Sequence, residues 1–380
     1  MKTTHGGRAI KAGEQMPMIP AVNPIESAKS AGLRYVCDNA RGIRREMGPL
    51  GFRYRGVDGK IIRKASELKR IRALAVPPAW TDVWICADPR GHLQATGRDA
   101  KGRKQYRYHP EWRTCRDETK FERMQEFAAA LPGVRRRTAA DLSRHGLPRE
   151  KVLATVVQLL EKSLIRVGND EYARDNNSYG LTTLRKQHAD VQGAKLTFQF
   201  RGKSGVRHSV GVNDRRLARI VAQCRDLPGQ ELFQYVDEEG TTRDVTSQDV
   251  NEYLKEISGE DFTAKDFRTW AGTVLAYTAL RELDRCTSVA HGKRNCLQAI
   301  EAVAGMLGNT RAVCRKSYIH PVILDAYVDG SLFDVPIRRQ RGLVRVRARQ
   351  TESGLRPEEV ATLAILRQRA QRQPARTKAA

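Results

Sequence analysis

The period of the hydrophobic pattern changes once along this chain, near residue 116. Between about residue 30 and that point, apolar and polar residues alternate in short runs separated by turn signals such as Asp58-Gly59, a pattern typical of strands and hairpins. Beyond it, apolar residues recur every three or four positions, as in PREKVLATVVQLLEKSLIRVG, which indicates amphipathic helices. The sequence therefore predicts an α+β fold.

A chain of 380 residues is long enough for more than one domain. We predict four segments: a flexible N-terminal arm at 1–27, a small β-rich N-terminal domain at 28–115, a larger mainly α domain at 116–332 and a basic C-terminal tail at 333–380. One helix is expected within the tail, from about Pro357 to Arg369. A strand pair, KLTFQFRGKSGVRHSVGV, interrupts the helices of the large domain.

The charge balance favours a polyanionic partner. The chain has 68 Lys and Arg against 43 Asp and Glu, a net charge of +25, and nucleic acid is the first candidate because each neutralised phosphate releases counterions. No apolar run approaches the length of a membrane-spanning helix. The first residues lack the apolar core of a signal peptide, so we expect a cytoplasmic protein.

The seven cysteines are odd in number and scattered, without a C-x-x-C pair, and no H-E-x-x-H pattern occurs. We read the cysteines as reduced thiols and predict neither a disulfide framework nor a metal site.

Cations and aromatic residues alternate near the end of the β-rich domain. This pattern is typical of an edge hairpin guarded by charge, or of a nucleic-acid surface with cations for phosphates and aromatics for sugars or bases. The global charge favours the second interpretation. The candidate DNA contacts are Arg98, Lys101, Arg103, Lys104, Gln105, Tyr106 and Tyr108.

The sequence RGKSG contains the last residues of a phosphate-binding P-loop but lacks the rest of the motif. The first glycine of a P-loop is replaced by Thr197, inside a predicted strand, and the turn leads to another strand rather than to a helix. No ATP site is predicted. Lys203 is therefore an ordinary turn lysine or a cation that a stiff hairpin presents to a ligand.

Three further residues have ordinary explanations when each is taken alone. Arg166 follows an apolar helical run, where it complements a helix dipole. Arg268 falls near a helix start, where Asp266 or a phosphate would be its partner. Asn309 would cap the helix that follows.

Tyr318 lies in the segment GNTRAVCRKSYIHP, after several cations. A tyrosine in a helix usually packs its ring and exposes its hydroxyl. The alternative is a nucleophile whose neighbouring cations bind a phosphate.

Taken in chain order, Arg166, Lys203, Arg268, Asn309 and Tyr318 resemble the active-site set of the type IB DNA topoisomerases of the poxvirus and bacterial branch. The resemblance extends from about Leu33 to about Leu332 and covers the blocks PPAWTDVWICADPRGHLQATGRDAKGRKQYRYHP, LIRVGNDEYARDNNSYGLTTLRKQH, FRGKSGVRH, KDFRTWAG and GNTRAVCRKSY. Several relatives carry His where this chain has Asn309, and an amide can donate a hydrogen bond but cannot titrate.

The resemblance implies the topoisomerase IB and tyrosine recombinase type of catalytic domain, acting on double-stranded DNA as a monomeric clamp. Tyr318 would form a 3′-phosphotyrosyl intermediate, and Lys203, assisted by Arg166, would protonate the leaving 5′ oxygen. Arg166, Arg268 and Asn309 would stabilise the attacked phosphate. Neither ATP, another nucleotide cofactor nor a metal would be needed, and the enzyme would act in the cytoplasm, on the nucleoid.

Two alternatives remain open at this point. Tyrosine recombinases share a similar set of residues but usually show H-x-x-R at the second arginine, where this chain has Lys265. A recombinase would also have a helical rather than a β-rich DNA-binding domain. A basic DNA-binding protein without chemistry would explain the charge but not the order of the five residues.

Overall fold

The structure is a computed structural model that describes residues 24–49, 51–100, 102, 104–335 and 354–372. Within these residues the chain divides into two compact units, and the division falls between Arg113 and Thr114, close to the expected boundary at 115. The predicted arm at 1–27 lies mostly outside the described residues. No helix in the described part is long and apolar enough to cross a membrane.

The first unit is built on one antiparallel sheet of five strands in the order β2-β1-β3-β4-β5. Two helices accompany the sheet, which the sequence reading as mostly strand did not predict. The elements are α1 (Pro24–Ser30), β1 (Ile43–Gly48), β2 (Gly51–Arg55), α2 (Ala65–Ala73), β3 (Thr81–Ile85), β4 (Leu93–Arg98) and β5 (Lys104–Tyr108).

Consecutive residues of the central strands β3 and β4 are buried, so both faces of the sheet are covered there. Ile43, Val83, Ile85 and Ala95 form a small core with Ile71 of α2. The predicted hairpin turn around Pro89 connects β3 to β4, which pair in antiparallel register. Because β5 pairs only with β4 among the described strands, it forms an edge of the sheet.

The second unit is mainly helical, as expected. Its helices are α3 (Pro110–Asp141, which starts just before the division), α4 (Arg149–Ser163), α5 (Asp170–Asn176), α6 (Arg215–Asp226), α7 (Ser247–Ser258), α8 (Ala264–Glu282), α9 (Val289–Leu307), α10 (Arg311–Ser317), α11 (Pro321–Val328) and α12 (Pro357–Arg372). Its strands are β6 (Ala189–Gln192), β7 (Lys195–Arg201), β8 (Arg207–Asn213), β9 (Gln234–Val236) and β10 (Thr242–Asp244).

The predicted strand pair is present as β7 and β8, which pair in antiparallel register and are joined by a 3-10 turn at Lys203–Gly205. Leu196, Phe198 and Phe200 lie on one face of β7 and are buried in the core of the second unit. Thr197 is in the middle of β7, so the chain has no P-loop at this point.

Two features of the second unit differ from the sequence reading. The apolar pattern continues past Ser163 toward Arg166, but α4 already ends at Ser163. The segment assigned to a separate basic tail contains α12, whose Leu363, Ile365 and Leu366 are buried in the same core as the other helices. The described part of the tail is therefore a packed element of this unit, because its apolar face outweighs its basic composition in deciding where it lies.

Candidate active site

Arg166 lies on an extended segment that leaves α4 through a tight turn. Leu164 has the left-handed conformation, with φ 56°, and ends the helix. The carbonyl of Arg166 accepts a hydrogen bond from the Leu181 N–H at 2.8 Å. A Cβ at Gly180 would lie 2.6 Å from the same carbonyl oxygen, so only glycine allows this approach. The GLTTL segment thus fixes the backbone of Arg166.

Arg268 is buried near the start of α8, with 4% of its surface exposed. Its guanidinium donates to the carbonyl of Leu164 and, at 2.7 Å, to the carbonyl of Leu307. Asp266, the alternative partner, instead accepts from the Thr263 N–H at 2.7 Å and caps the helix. The arginine is therefore held by carbonyls at the ends of two other helices, where the helix dipole is negative.

Asn309 does not cap the helix that follows it. Thr310 does so by accepting a hydrogen bond from the Val313 N–H at 3.3 Å. The side-chain oxygen of Asn309 accepts from the guanidinium of Arg166. Its Nδ2 is buried and has no hydrogen-bond partner among the described residues. The amide is thus oriented by Arg166, and its donor remains available to a ligand.

Tyr318 ends α10 and lies beside Arg268, whose Cζ is 5.2 Å from the centre of the phenol ring. A Cβ at Gly272, one turn after Arg268, would lie 2.7 Å from the carbonyl oxygen of Tyr318. Thr273 donates to the same carbonyl at 3.2 Å. Cys314 is no rival nucleophile, because it is fully buried and burial raises the pKa of its thiol to about 11.

Lys203 is the exposed first residue of the turn between β7 and β8. It lines a cleft together with Arg166 and Arg268. The three cations come from sequence positions far apart, and the fold brings them to one opening. Asn309 contacts this group by accepting a hydrogen bond from Arg166, and Tyr318 contacts it through its ring, which lies beside Arg268.

His208 also lines this cleft, and the sequence reading did not select it. Its ring stacks on Phe200, with centroids 5.1 Å apart. A Cβ at Gly202 would lie 2.5 Å from the ring, and one at Gly308 would lie 2.4 Å from it. His208 therefore packs between the backbone next to Lys203 and the backbone next to Asn309.

The electrostatics of the cleft favour a neutral histidine and an anionic ligand. Burial lowers the pKa of His208, and the positive charges of Arg166 and Arg268 lower it further, so the ring is neutral at pH 7. The sequence does contain a signal for His208: it lies five residues after Lys203, on the second strand of the same hairpin.

Two buried donors in the site have no partner among the described residues: Nε of Arg268 and Nδ2 of Asn309. Buried donors are rarely left unpaired in native proteins. Burial and the proximity of Arg166 lower the pKa of Arg268, yet an arginine remains a cation in a protein. Two adjacent guanidinium groups and two unpaired donors together suit the oxygens of a phosphate.

In the first unit, the exposed residues of β5 form one face. Lys104, Tyr106 and Tyr108 are exposed and alternate with the half-buried Gln105 and Arg107. The rings of Tyr106 and Tyr108 stack with centroids 5.9 Å apart, and Nζ of Lys104 is 5.8 Å from the centre of the Tyr106 ring.

Two of the other predicted DNA contacts, Gln105 and Arg98, make hydrogen bonds within the first unit. Gln105 donates to Asp99 at 3.0 Å. Arg98, at the end of β4, donates to the carbonyl of Gly102 at 2.9 Å. Lys101 and Arg103 lie outside the described residues.

The described part of the chain contains no group of three or more His, Cys, Asp or Glu side chains that could hold a metal ion. A phenol beside one guanidinium group, with a second guanidinium and an amide close by, supplies the kinds of groups that phosphoryl transfer through a covalent tyrosine would use.

Comparison with known proteins identifies the family. Residues 109–330 match the family model described as eukaryotic DNA topoisomerase I, catalytic core, and residues 51–99 match bacterial DNA topoisomerase IB, N-terminal domain. The chain is 33% identical to DNA topoisomerase 1B of Acanthamoeba polyphaga mimivirus over 299 residues, which is 77% of this chain and 89% of the relative. It is 22% identical to DNA topoisomerase 1B of vaccinia virus (strain Copenhagen) over 274 residues, 70% of this chain and 83% of the relative.

The chain therefore belongs to the type IB DNA topoisomerases, which relax supercoiled duplex DNA by transient cleavage of one strand. Within that family it resembles the poxvirus-like enzymes and carries the bacterial type of N-terminal domain.

Proposed function

We propose that Tyr318, Arg166, Lys203, Arg268 and Asn309 are the catalytic residues of this topoisomerase. The observation that carries the assignment is that Arg268 lies beside the ring of Tyr318 and lines one cleft with Arg166. Arg166 in turn holds Asn309, whose Nδ2 is a buried donor without a partner among the described residues. The tyrosine recombinase alternative is wrong, because the relatives that span most of the chain are DNA topoisomerases.

In the proposed cleavage step, the phenol oxygen of Tyr318 attacks the phosphorus of a DNA phosphodiester. The bond from phosphorus to the 5′ oxygen breaks as the bond to the tyrosine forms, and the phenol proton passes to solvent. A 3′-phosphotyrosyl enzyme and a free 5′-hydroxyl result. Religation is the reverse reaction, so the energy of the broken bond is conserved and no ATP is required.

Arg166, Arg268 and Asn309 stabilise the negative charge that builds up on the non-bridging oxygens. Their positions are fixed before the substrate arrives, by carbonyls at helix ends and by one another, so little reorganisation is needed in the transition state. The two arginines supply the positive charge that a metal supplies in other phosphoryl-transfer enzymes.

Lys203 is the proposed general acid. Its ammonium group gives a proton to the departing 5′ oxygen, which would otherwise leave as a costly alkoxide. The turn between β7 and β8 presents the lysine to the cleft that Arg166 and Arg268 also line.

Lys104, Tyr106 and Tyr108 form the proposed DNA-contacting face of the first unit, with Arg98, Lys101, Arg103 and Gln105 as further contacts. Exposed tyrosines can stack on sugars or bases, and the lysine can pair with a phosphate. We further propose that the enzyme works as a monomer, without nucleotide or metal, on the nucleoid in the cytoplasm.

The decisive experiment compares relaxation of positively and negatively supercoiled plasmid by the wild type and Tyr318→Phe, in EDTA and without ATP. We expect relaxation of both signs by the wild type alone. Capture of a radiolabelled 3′ end on the wild-type protein, and not on the variant, would identify the covalent bond. Relaxation by Tyr318→Phe would remove this residue from the mechanism.

A further inference from the structure

The first turn of α12 places a carboxylate in the interior of the second unit. Glu359 has 3% of its surface exposed. Arg135 of α3 donates to both of its oxygens, at 2.7 and 2.9 Å. The backbone N–H of Arg356 donates to one of them at 2.8 Å. Burial alone would raise the pKa of Glu359, but the bonds and charge of Arg135 outweigh burial and hold it below its usual value, so the group is an anion.

This charge cluster also includes the last turn of α4. Arg135 donates to Glu161 at 2.7 and 3.1 Å, and Arg356 donates to the same oxygen at 2.6 Å. Glu161 is three residues before Leu164, which follows the last residue of α4 and whose carbonyl holds Arg268. The cluster is therefore anchored within one helical turn of the point where the chain departs toward Arg166.

A third contact joins the cluster to α8. The indole N–H of Trp270 donates to Glu359 at 3.3 Å, and only 3% of the surface of Trp270 is exposed. Trp270 comes two residues after Arg268. Residues two apart on a helix point about 200° away from each other, so Trp270 faces α12 while Arg268 faces Tyr318. Holding the indole thus sets the rotation of α8 about its axis.

A buried ion cluster is a weak source of stability, because desolvation offsets much of the attraction between the charges. Removing Glu359 alone would leave Arg135 and the indole N–H of Trp270 with one partner fewer. The charges and the indole bond instead specify one arrangement of α4, α8 and α12, since any rotation of these helices leaves a buried charge unpaired.

We propose that Glu359 is a positioning residue for DNA cleavage: through Trp270 and through Arg135 with Glu161, it holds the two helices that present Arg268 and Arg166. The C-terminal helix thereby sets the geometry of an active site to which it contributes no reacting group. This inference rests on the catalytic roles proposed for the two arginines.

The test measures single-turnover cleavage of a short duplex that traps the covalent complex, together with DNA affinity and thermal unfolding. The variants are Glu359→Gln, which removes the charge, and Trp270→Phe, which removes the indole donor. Leu366→Ala is the matched control, because Leu366 is 2% exposed on the same helix and has no part in the charge cluster. All rates are taken well below the unfolding temperature of each variant.

We expect Glu359→Gln and Trp270→Phe each to slow cleavage by about tenfold or more, since small displacements of catalytic groups are costly, with DNA affinity nearly unchanged. Leu366→Ala should lower the unfolding temperature at least as much and yet cleave at close to the wild-type rate. The double variant should be little slower than Glu359→Gln alone, because Trp270 acts through its bond to Glu359. Wild-type cleavage by Glu359→Gln, or rates that simply follow unfolding temperature in all variants, would overturn the proposal.

Arg268→Ala separates this inference from the site assignment. If Arg268→Ala cleaves normally, the assignment itself is wrong. If Arg268→Ala is inactive while Glu359→Gln cleaves like the wild type, only the positioning role of Glu359 is lost.

Discussion

Gly272 packs against the backbone of Tyr318 so closely that a Cβ at Gly272 would lie 2.7 Å from the tyrosine carbonyl oxygen and 3.0 Å from its Cβ. The contact sets the distance between α8, which carries Arg268, and the proposed nucleophile. Because the atoms in the way belong to the backbone and to the first side-chain carbon, they cannot yield by a simple change of rotamer.

Gly272→Ala should therefore displace Tyr318 from Arg268. We expect a loss of about 1–3 kcal/mol in the free energy of unfolding, as for other overpacked sites, and a fall in the cleavage rate larger than the fall in DNA affinity. Gly305→Ala in α9 is the control, because a Cβ there meets nothing within 4 Å and alanine favours a helix. Equal effects of the two substitutions on cleavage would contradict the role given to this contact.

Lys203→Ala should slow cleavage of ordinary DNA by about 10²–10⁴-fold, the usual contribution of a general acid. A substrate with sulfur at the 5′ bridging position should restore most of the rate, because a thiolate leaves without a proton. Lys195→Ala, an exposed lysine on the same hairpin, should cleave both substrates like the wild type. Equal impairment of Lys203→Ala on both substrates would exclude proton donation by this residue.

Lys104→Ala should weaken DNA binding and reduce the slope of log affinity against log salt by about one, as expected for the loss of one phosphate contact. Tyr106→Ala should weaken binding without changing that slope, because stacking releases no counterions. Lys60→Ala provides the comparison, since this lysine is exposed in the turn after β2. Slopes that are the same for the wild type and Lys104→Ala would place the DNA elsewhere on the first unit.

His320 predicts a pH dependence of stability. It begins α11, its Nδ1 accepts from the Val322 N–H at 3.2 Å, and burial lowers its pKa from 6.5 to about 4. Between these values the unfolded chain binds a proton that the folded chain does not. The stability that the neutral ring confers is therefore complete above pH 6.5 and is lost as the pH falls toward 4.

From pH 7 to pH 5 this group alone should reduce the free energy of unfolding by about 2 kcal/mol. His320→Asn keeps a capping side chain and cannot titrate, so denaturant unfolding of this variant should lose correspondingly less stability over the same interval. The comparison cancels the contributions of other histidines. Parallel curves for the two proteins would show that His320 titrates normally.

Much of the organisation of this chain follows from local pattern. Period-two alternation predicted the sheet of the first unit, and the run from Leu196 to Phe200 predicted the buried face of β7, because one side of a strand must face a core. The motifs around Tyr318 and Arg268 predicted the family, which the comparisons confirm. The sequence placed the end of α4 too late, because Leu164 continues the apolar pattern but has a left-handed backbone conformation that ends the helix.

The sequence alone thus determined the fold class, the family and the candidate catalytic residues, because these depend on periodicity and on residue types in a fixed order. The partners of those residues were decided only by the tertiary structure. Asn309 meets Arg166 rather than capping a helix, and Glu359 of the expected basic tail lies buried against Arg135. Contacts between residues more than a hundred positions apart depend on how helices pack around a shared core, which local pattern does not encode.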